Sequence, residues 1–238
     1  EPLIEQHQCV RDLLLELNGF DQIERVRYTT SHPKDMTEDL INAYKKSSKL
    51  MPLVHLPVQS GSNKILKSMN RKHTIEEYLK VYESLKEINP NVEFSSDFII
   101  GYPGEDEDDF NKTMELIEKI GFINSYSFIF SARPGTVAAD LTQVNAVKSK
   151  ERLEIIQKRL FENQINKNKS LENKILNVLV ENIMKDRIKL FGRTEYMTSV
   201  IFDGDIDNIG KIVQVEITSS NQNSLFGKLV ESSKKKVA

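Results

Sequence analysis

The sequence predicts an incomplete α/β barrel followed by a small all-β barrel. Three observations carry that reading. Between His55 and Thr136 the chain reads HLPVQSGSNKILKSMNRKHT, SSDFIIGYPGE and SYSFIFSARPGT, each an apolar strand running into a turn rich in Gly, Ser and Pro. With helical patterns between them, such repeats build a parallel sheet whose functional loops sit at the carboxyl ends of its strands. Four strand–loop–helix units fill about the first 150 residues, and their crossovers are right-handed. A closed eight-stranded barrel takes ~250 residues, so these units make part of one. After Leu171 the texture changes to short alternating strands at close spacing, the signature of a small β-barrel.

The elements follow in order. VRDLLLELN sets Val10, Leu13, Leu14 and Leu17 at helical spacing, and Gly19 ends the helix. IERVRYTTS alternates Ile23, Val26 and Tyr28 as a strand closed by His32-Pro33. Thr37 caps a helix to about Lys46, with Glu38 and Asp39 in its first turn, where the helix dipole favours them. LVHLPV is a short buried strand cut by Pro57. Thr74 and Glu77 form a capping box that opens a helix from Ile75 to about Ile88, ended by Asn89-Pro90-Asn91. VEFSSDFIIG is the next strand, Asp106 or Asp108 starts the helix after it, and SYSFIFS is the last strand of this half. From Val147 to about Lys169 runs a locally basic helix with Leu153, Ile156, Leu160 and Ile165 as its apolar stripe. ILNVLVENI, RIKLFGRT, MTSVIFDG, KIVQVEIT and SLFGKLVE supply the second barrel. The expected domains are 1–146, a linker helix 147–170, a β-barrel 171–232 and a disordered tail 233–238.

Composition bounds the function. The 238 residues are 29% charged and 39% hydrophobic, ordinary for a soluble protein, with a net charge of −2 that does not by itself predict nucleic-acid binding. No apolar run approaches the ~20 residues that span a membrane, and with no signal peptide the cytoplasm is the expected compartment. The start at Glu1-Pro2, without Met, fits a fragment or processed product, and an omitted Met or an incomplete record would look the same. Cys9 is the only cysteine, which excludes a disulfide framework and a four-cysteine zinc or iron–sulfur site within the chain. Cys9 adjoins the apolar stripe of the first helix and reads as a buried thiol.

Several loops could carry chemistry, and each has a plain structural alternative. In QSGS, Gly61 permits close backbone approach, and Ser60 and Ser62 offer hydroxyls to a ligand; a turn with Ser62 as helix N-cap accounts for the motif equally. GYPGE, residues 101–105, is either a loop pressing its backbone on a flat ligand such as adenine or a tight strand-to-helix turn. Asp97 lies inside an apolar strand, where a carboxylate needs a partner or water, which favours a site role. Arg71 and Arg133 are solvated charges or partners of a carboxylate or phosphate. His32 and His55 lack ligand-spaced neighbours, and EDEDD reads as an acidic helix start. In the second half Arg193, Lys211 and Lys228 lie on different strands of a region with net charge about +1, a weak signal for RNA beside a packing role. Tyr196 and Phe226 are its candidates for base stacking, with Phe191 and Phe202 read as core.

Taken together, RVRYTTSHP, HLPVQSGS, MNRKHT, SSDFIIGYPGE and SYSFIFSARPGT, in this order and spacing, resemble the radical-SAM methylthiotransferases, in particular their tRNA-modifying branch. GRTEYMTSVIFDGD, IGKIVQVEIT and NSLFGKLV resemble the TRAM domain that ends those enzymes. The resemblance covers about Leu13 to Val230 and implies a partial radical-SAM barrel followed by a TRAM barrel. It implies methylthiolation at carbon 2 of N6-dimethylallyladenosine next to the anticodon of tRNA. It implies S-adenosylmethionine cleaved to a deoxyadenosyl radical at one 4Fe–4S cluster, with a second cluster serving sulfur insertion. By the same resemblance Gln59, Ser60, Ser62, Asp97, Gly101, Pro103, Gly104 and Glu105 line the S-adenosylmethionine pocket, and Arg71 meets its carboxylate. Arg193, Tyr196, Lys211 and Lys228 of the TRAM domain hold the tRNA. The family's amino-terminal domain and its CxxxCxxC motif are absent, so this polypeptide ligates neither cluster by itself. The expected roles are therefore the carboxyl-terminal part of the enzyme, a non-catalytic RNA-binding remnant, or a subunit complementing a separate amino-terminal chain.

Overall fold

The computed structural model describes residues 2–30, 32–185 and 189–230, with side-chain surroundings from residue 10 onward. The expected tail at 233–238 and the surroundings of the Cys9 thiol lie outside the described residues. The chain divides into two compact units, Glu1–Phe161 and Glu162–Ala238.

The first unit layers helices on a parallel sheet. Its elements are α1 (Pro2–Leu17), α2 (Glu38–Lys46), β1 (Leu53–His55), α3 (Asn63–Ser68), α4 (Ile75–Ile88), β2 (Glu93–Ser95), β3 (Asp97–Ile100), α5 (Glu107–Ile120), β4 (Tyr126–Ile129) and the start of α6 (Ala146–Ser170). β1 pairs with β2 and β3 with β4, all parallel, and a Gln59–Phe98 bridge carries the pairing between the two ladders. The stretches 53–59, 93–100 and 126–129 therefore lie side by side in chain order as an open parallel sheet, with single bridges from Val26 and Thr29 beside the first, a part of an α/β barrel.

Local chemistry explains the boundaries. Thr37 caps α2, and Thr74 and Glu77 cap α4 reciprocally. Asp106, rather than Asp108, opens α5, in a second capping box with Asp109. The expected strand IERVRYTTS is reduced to single bridges, Val26–Leu50 and Thr29–His55, because the Thr30 hydroxyl turns the chain at once by bonding the His32 carbonyl. The strand VEFSSDFIIG is split at Ser96. Its hydroxyl accepts from Val58 N–H at 2.9 Å and its own N–H donates to the Ser125 hydroxyl at 2.9 Å, so side chains replace ladder bonds at that point. Leu56, Val58, Phe94, Phe98, Ile100, Ile117 and Phe122 form the core between sheet and helices, with Phe98 edge-on to Phe122 at 5.3 Å.

The first half of α6 packs into the first unit. Its buried positions in the first unit are Ser149, Arg152, Ile156 and Leu160, spaced by three and four residues, whereas Ile165 is exposed. The division between the units falls inside this helix. Its last turns belong to the second unit, where buried Asn168 donates to the carbonyls of Asn221 at 2.8 Å and Gln222 at 3.1 Å.

The second unit is a closed barrel of β5 (Ile175–Ile183), β6 (Lys189–Arg193), β7 (Ser199–Asp203), β8 (Ile212–Ser220) and β9 (Ser224–Leu229), in the order β5-β6-β7-β9-β8. Val178, Val180, Leu190, Val200, Phe202, Val215, Ile217 and Leu225 fill it. Gly192 and Gly227 let neighbouring strands close in: a Cβ there would lie 2.5 Å from the Leu179 carbonyl oxygen and 2.4 Å from that of Glu216.

Candidate functional site

The open face of the parallel sheet collects the polar side chains. Paired residues in a ladder share a face, so Asp97 stands beside Tyr126 and Ile99 beside Phe128. Gln59, at a left-handed φ of 72°, joins this face at the end of the β1 stretch, and its backbone bonds both Asp97 and Ile99. A cavity of about 450 Å³ opens there, lined by Gln59, Asp97, Ile99, Phe128, Phe130 and Arg133 among others. Asp97 is partly exposed, with His55 Nε2 at 3.5 Å from its carboxylate, and the other ring nitrogen of His55 lies 2.9 Å from the Ser95 hydroxyl. Burial draws the Arg71 guanidinium below its ordinary pKa, and the charge of Asp97 opposes that shift. Asp97 is thus paired rather than stranded. The pairing escaped sequence reading because His55 and Asp97 lie on different strands, which only the sheet register brings together.

The serines of QSGS turn away from this face. Ser60 and Ser62 are buried. Ser62 caps α3 and donates to Asp109 at 2.6 Å, and Ser60 accepts from Ser62 N–H at 3.2 Å. Gly61 meets α5 so closely that a Cβ would lie 2.4 Å from the Lys112 carbonyl oxygen. The structural alternative for 60–62, a turn with Ser62 as helix N-cap, accounts for these hydroxyl contacts. Lys64 reaches both Asp106 and Asp109 at 2.7 Å. Burial of Asp109 raises its carboxyl pKa, but the bonds from Lys64 and Ser62 outweigh this and hold it below the ordinary value.

In GYPGE, Gly101, Pro103 and Glu105 are buried and Gly104 is exposed. Gly101 and Gly104 adopt left-handed φ of 72° and 85°, and nothing stands within 4 Å of a Cβ built on Gly104. Only Gly104 of this loop presents its backbone openly. Glu105 is turned inward, where Arg152 Nη1 lies 2.7 Å from its carboxylate and Gly101 N–H donates to it at 3.1 Å. Arg152 went unnoticed in the sequence, where it is one basic residue among many in a charged helix.

In the β-barrel Arg193 and Lys228 stand at different levels along the strands. Arg193 is level with Ser199 and Ser224, and Lys228 with Asp203. That is four residues along the strand, or ~13 Å. Lys228 lies in register between Asp203 and Glu216, and Arg193 pairs with Glu181 at 3.1 Å. Lys211 is exposed just before β8. Tyr196 is 8% exposed with the Lys167 ammonium 4.5 Å above its ring. Phe202 is core as read, but Phe191 is only half-buried. It stands in register with Ile201 and Phe226 on the outward positions of β6, β7 and β9, with Arg193 5.6 Å over its ring.

Two family models match this chain: the radical SAM superfamily over residues 3–117 and the TRAM domain over residues 169–230. Similar curated proteins are the tRNA-2-methylthio-N(6)-dimethylallyladenosine synthases of Pelagibacter ubique (strain HTCC1062), 82% identical over 95% of this chain and 51% of the relative, and of Ruthia magnifica subsp. Calyptogena magnifica, 47% identical over 93% of this chain and 51% of the relative. The synthase of Zymomonas mobilis subsp. mobilis is 44% identical over 94% of this chain and 50% of the relative. The chain belongs to the radical-SAM methylthiotransferase family. It spans about half the length of the curated relatives it matches.

Membership in the methylthiotransferase family implies S-adenosylmethionine and 4Fe–4S clusters. The open sheet face fits the first, since it offers an amide, a carboxylate and a guanidinium around a cavity, with apolar and aromatic walls. The clusters are not fitted by this chain's residues. The sequence holds one cysteine, and among the described residues no group of three or more His, Cys, Asp or Glu gathers at ligand distance. Among the described residues no helix is long and apolar enough to cross a membrane.

Proposed function

We propose that this chain is the carboxyl-terminal half of a tRNA methylthiotransferase, supplying part of the S-adenosylmethionine site and the RNA-holding barrel. The observation that carries the reading is the 82% identity to the Pelagibacter synthase across 95% of the chain, spanning both matched domains. In the complete enzyme the substrate is carbon 2 of N6-dimethylallyladenosine next to the anticodon. S-adenosylmethionine, if held by Gln59, Asp97 and Arg71, would supply radical chemistry there. This chain's residues hold and orient. Gln59 and Asp97 border the cavity with hydrogen-bonding groups, and Gly104 presents open backbone. Arg71, near Asp97, is the cation for a ligand carboxylate. Phe128 and Phe130 give the cavity apolar walls that limit water. The cluster ligands come from polypeptide outside these residues, either continuous with this chain or a separate amino-terminal partner.

The barrel contributes phosphate contacts through Arg193, Lys211 and Lys228. Such contacts give affinity that falls with salt and carries little sequence information. Unstacked anticodon-loop bases need flat apolar surface, which Phe226 and Phe191 supply in place of Tyr196. The test is titration of a tRNA anticodon stem-loop into the chain at low and moderate salt. Binding that weakens as salt rises, and weakens further in Arg193→Ala and Lys228→Ala, is the expected result. Absence of binding at low salt overturns the RNA role, and unchanged binding in both variants removes it from those residues.

A further inference from the structure

α6 reaches into the GYPGE turn and shapes it. Arg152 is 3% exposed at its side chain and Glu105 2%. Arg152 Nη1 donates to the Glu105 carboxylate at 2.7 Å and to the Glu105 carbonyl at 3.3 Å, and Nη2 donates to Glu107 at 3.0 Å. The guanidinium also lies 5.2 Å over the Phe110 ring. The same Glu105 oxygen accepts from Gly101 N–H at 3.1 Å, and Glu105 N–H bonds the Tyr102 carbonyl at 2.9 Å, so the carboxylate ties the loop's first residue to its last. One helical turn before Arg152, Ser149 closes the other side: a Cβ on Gly101 would lie 2.3 Å from the Ser149 hydroxyl. Gly101 is thus required by its left-handed φ and by the approach of α6. Tyr102 fixes the loop's remaining corner, donating to the Ser68 carbonyl at 2.9 Å and meeting Phe130 edge-on at 4.9 Å.

We propose that Arg152 is the positioning residue of the GYPGE loop: through Glu105 it holds residues 101–105 in the shape that presents Gly104 to S-adenosylmethionine. The proposal rests on the cofactor reading above. A buried carboxylate stripped of its cation either takes a proton, keeping an acceptor oxygen for Gly101 N–H, or ionises and swings out to water, which breaks that bond. Lysine cannot replace the fork, because a single ammonium makes one of the contacts that the planar guanidinium makes together. α6 therefore serves the ligand-binding loop rather than only joining two domains.

The probe is S-adenosylhomocysteine, titrated calorimetrically into the full chain, with amide exchange of residues 101–105 followed in parallel. Wild-type chain is expected to bind, R152M to bind at least tenfold more weakly with faster exchange at Tyr102, Gly104 and Glu105, and R152K to fall between. In R152M affinity should also drop as pH rises and the uncompensated Glu105, whose burial already raises its pKa, ionises, while wild-type affinity stays flat. If R152M does not fold, R152K and E105Q decide. E105Q keeps an acceptor for Gly101 N–H but loses the charge that holds Arg152, and should bind more weakly than wild type. Wild-type affinity in the folded variants overturns the clamp alone. A wild-type chain that binds no S-adenosylhomocysteine overturns the cofactor reading and this proposal with it.

Discussion

His73 is a buried imidazole set among cationic neighbours, 4% exposed and edge-on to His32 at 5.0 Å. Burial, the His32 ring and the Arg71 charge push its pKa down from 6.5 to about 4. The unfolded chain therefore binds more protons than the folded one between those values. Stability from this residue is complete above pH 6.5 and is lost as pH falls toward about 4, on the order of 3 kcal/mol in all. Urea midpoints measured across that range should fall with acid in the wild type and fall less in His73→Phe, which keeps a planar ring but cannot take a proton. Equal acid sensitivity of the two proteins would show that other groups govern the loss. His32 is shifted down as well, chiefly by burial, and contributes in the same direction.

Helix starts were the most legible elements in the sequence, because capping chemistry is local. Thr37 and the Thr74–Glu77 box stand where the residue pattern put them. What was illegible depends on packing between distant segments. The strand after residue 22 dissolves into bridges because the Thr30 turn competes with it. The serines of QSGS look the same in sequence whether they face a ligand or α5, and only the approach of Lys112 and Thr113 decides it. The loop glycines turn this into a prediction. Gly61→Ala drives a Cβ against rigid backbone at 2.4–2.5 Å, which overpacks the α3–α5 contact and should cost about 3 kcal/mol or more. Gly104→Ala meets nothing within 4 Å and carries only the strain of a left-handed residue, about 1–2 kcal/mol. Chemical denaturation of both variants checks the order. A Gly61→Ala protein as stable as Gly104→Ala would mean that α5 yields readily.

At the scale of the whole molecule, the two barrels were readable from the change of texture near Leu171, whereas the division inside α6 was not. A charged helix reads as a linker unless its buried positions are known, and two of those are Ser149 and Arg152, which no apolar pattern reveals. The site was legible as a set of loops and not as a set of contacts: Gln59 and Asp97 share a cavity, while Glu105 and Tyr196 are turned to internal partners. Cofactor dependence follows from composition. With Cys9 the only thiol in these 238 residues, anaerobic reconstitution with iron and sulfide should leave no stable cluster. A stoichiometric four-iron signal from this chain alone would refute that.

The open sheet also sets how the chain behaves in solution. Among the described residues β4 pairs with β3 alone, leaving its other side as a free edge. Its side chains are apolar and exposed: Tyr126 by 62%, Phe128 by 56% and Ile129 by 41%, with the two aromatic rings nearly parallel at 6.5 Å. Natural sheets blunt such an edge with charge, proline or a covering segment, and β4 itself carries none of these. Unpaired backbone groups beside exposed aromatics favour association of one edge with another, adding both ladder bonds and apolar burial. The 238-residue chain is therefore expected to self-associate at micromolar concentration. Phe128→Lys places an ammonium in the middle of the edge, where two copies would bring like charges together, and should shift the population toward monomer. Sedimentation velocity over a dilution series measures both. A wild-type chain that sediments as a single monomer throughout, or a Phe128→Lys chain that associates as strongly as wild type, would show that this edge does not drive assembly.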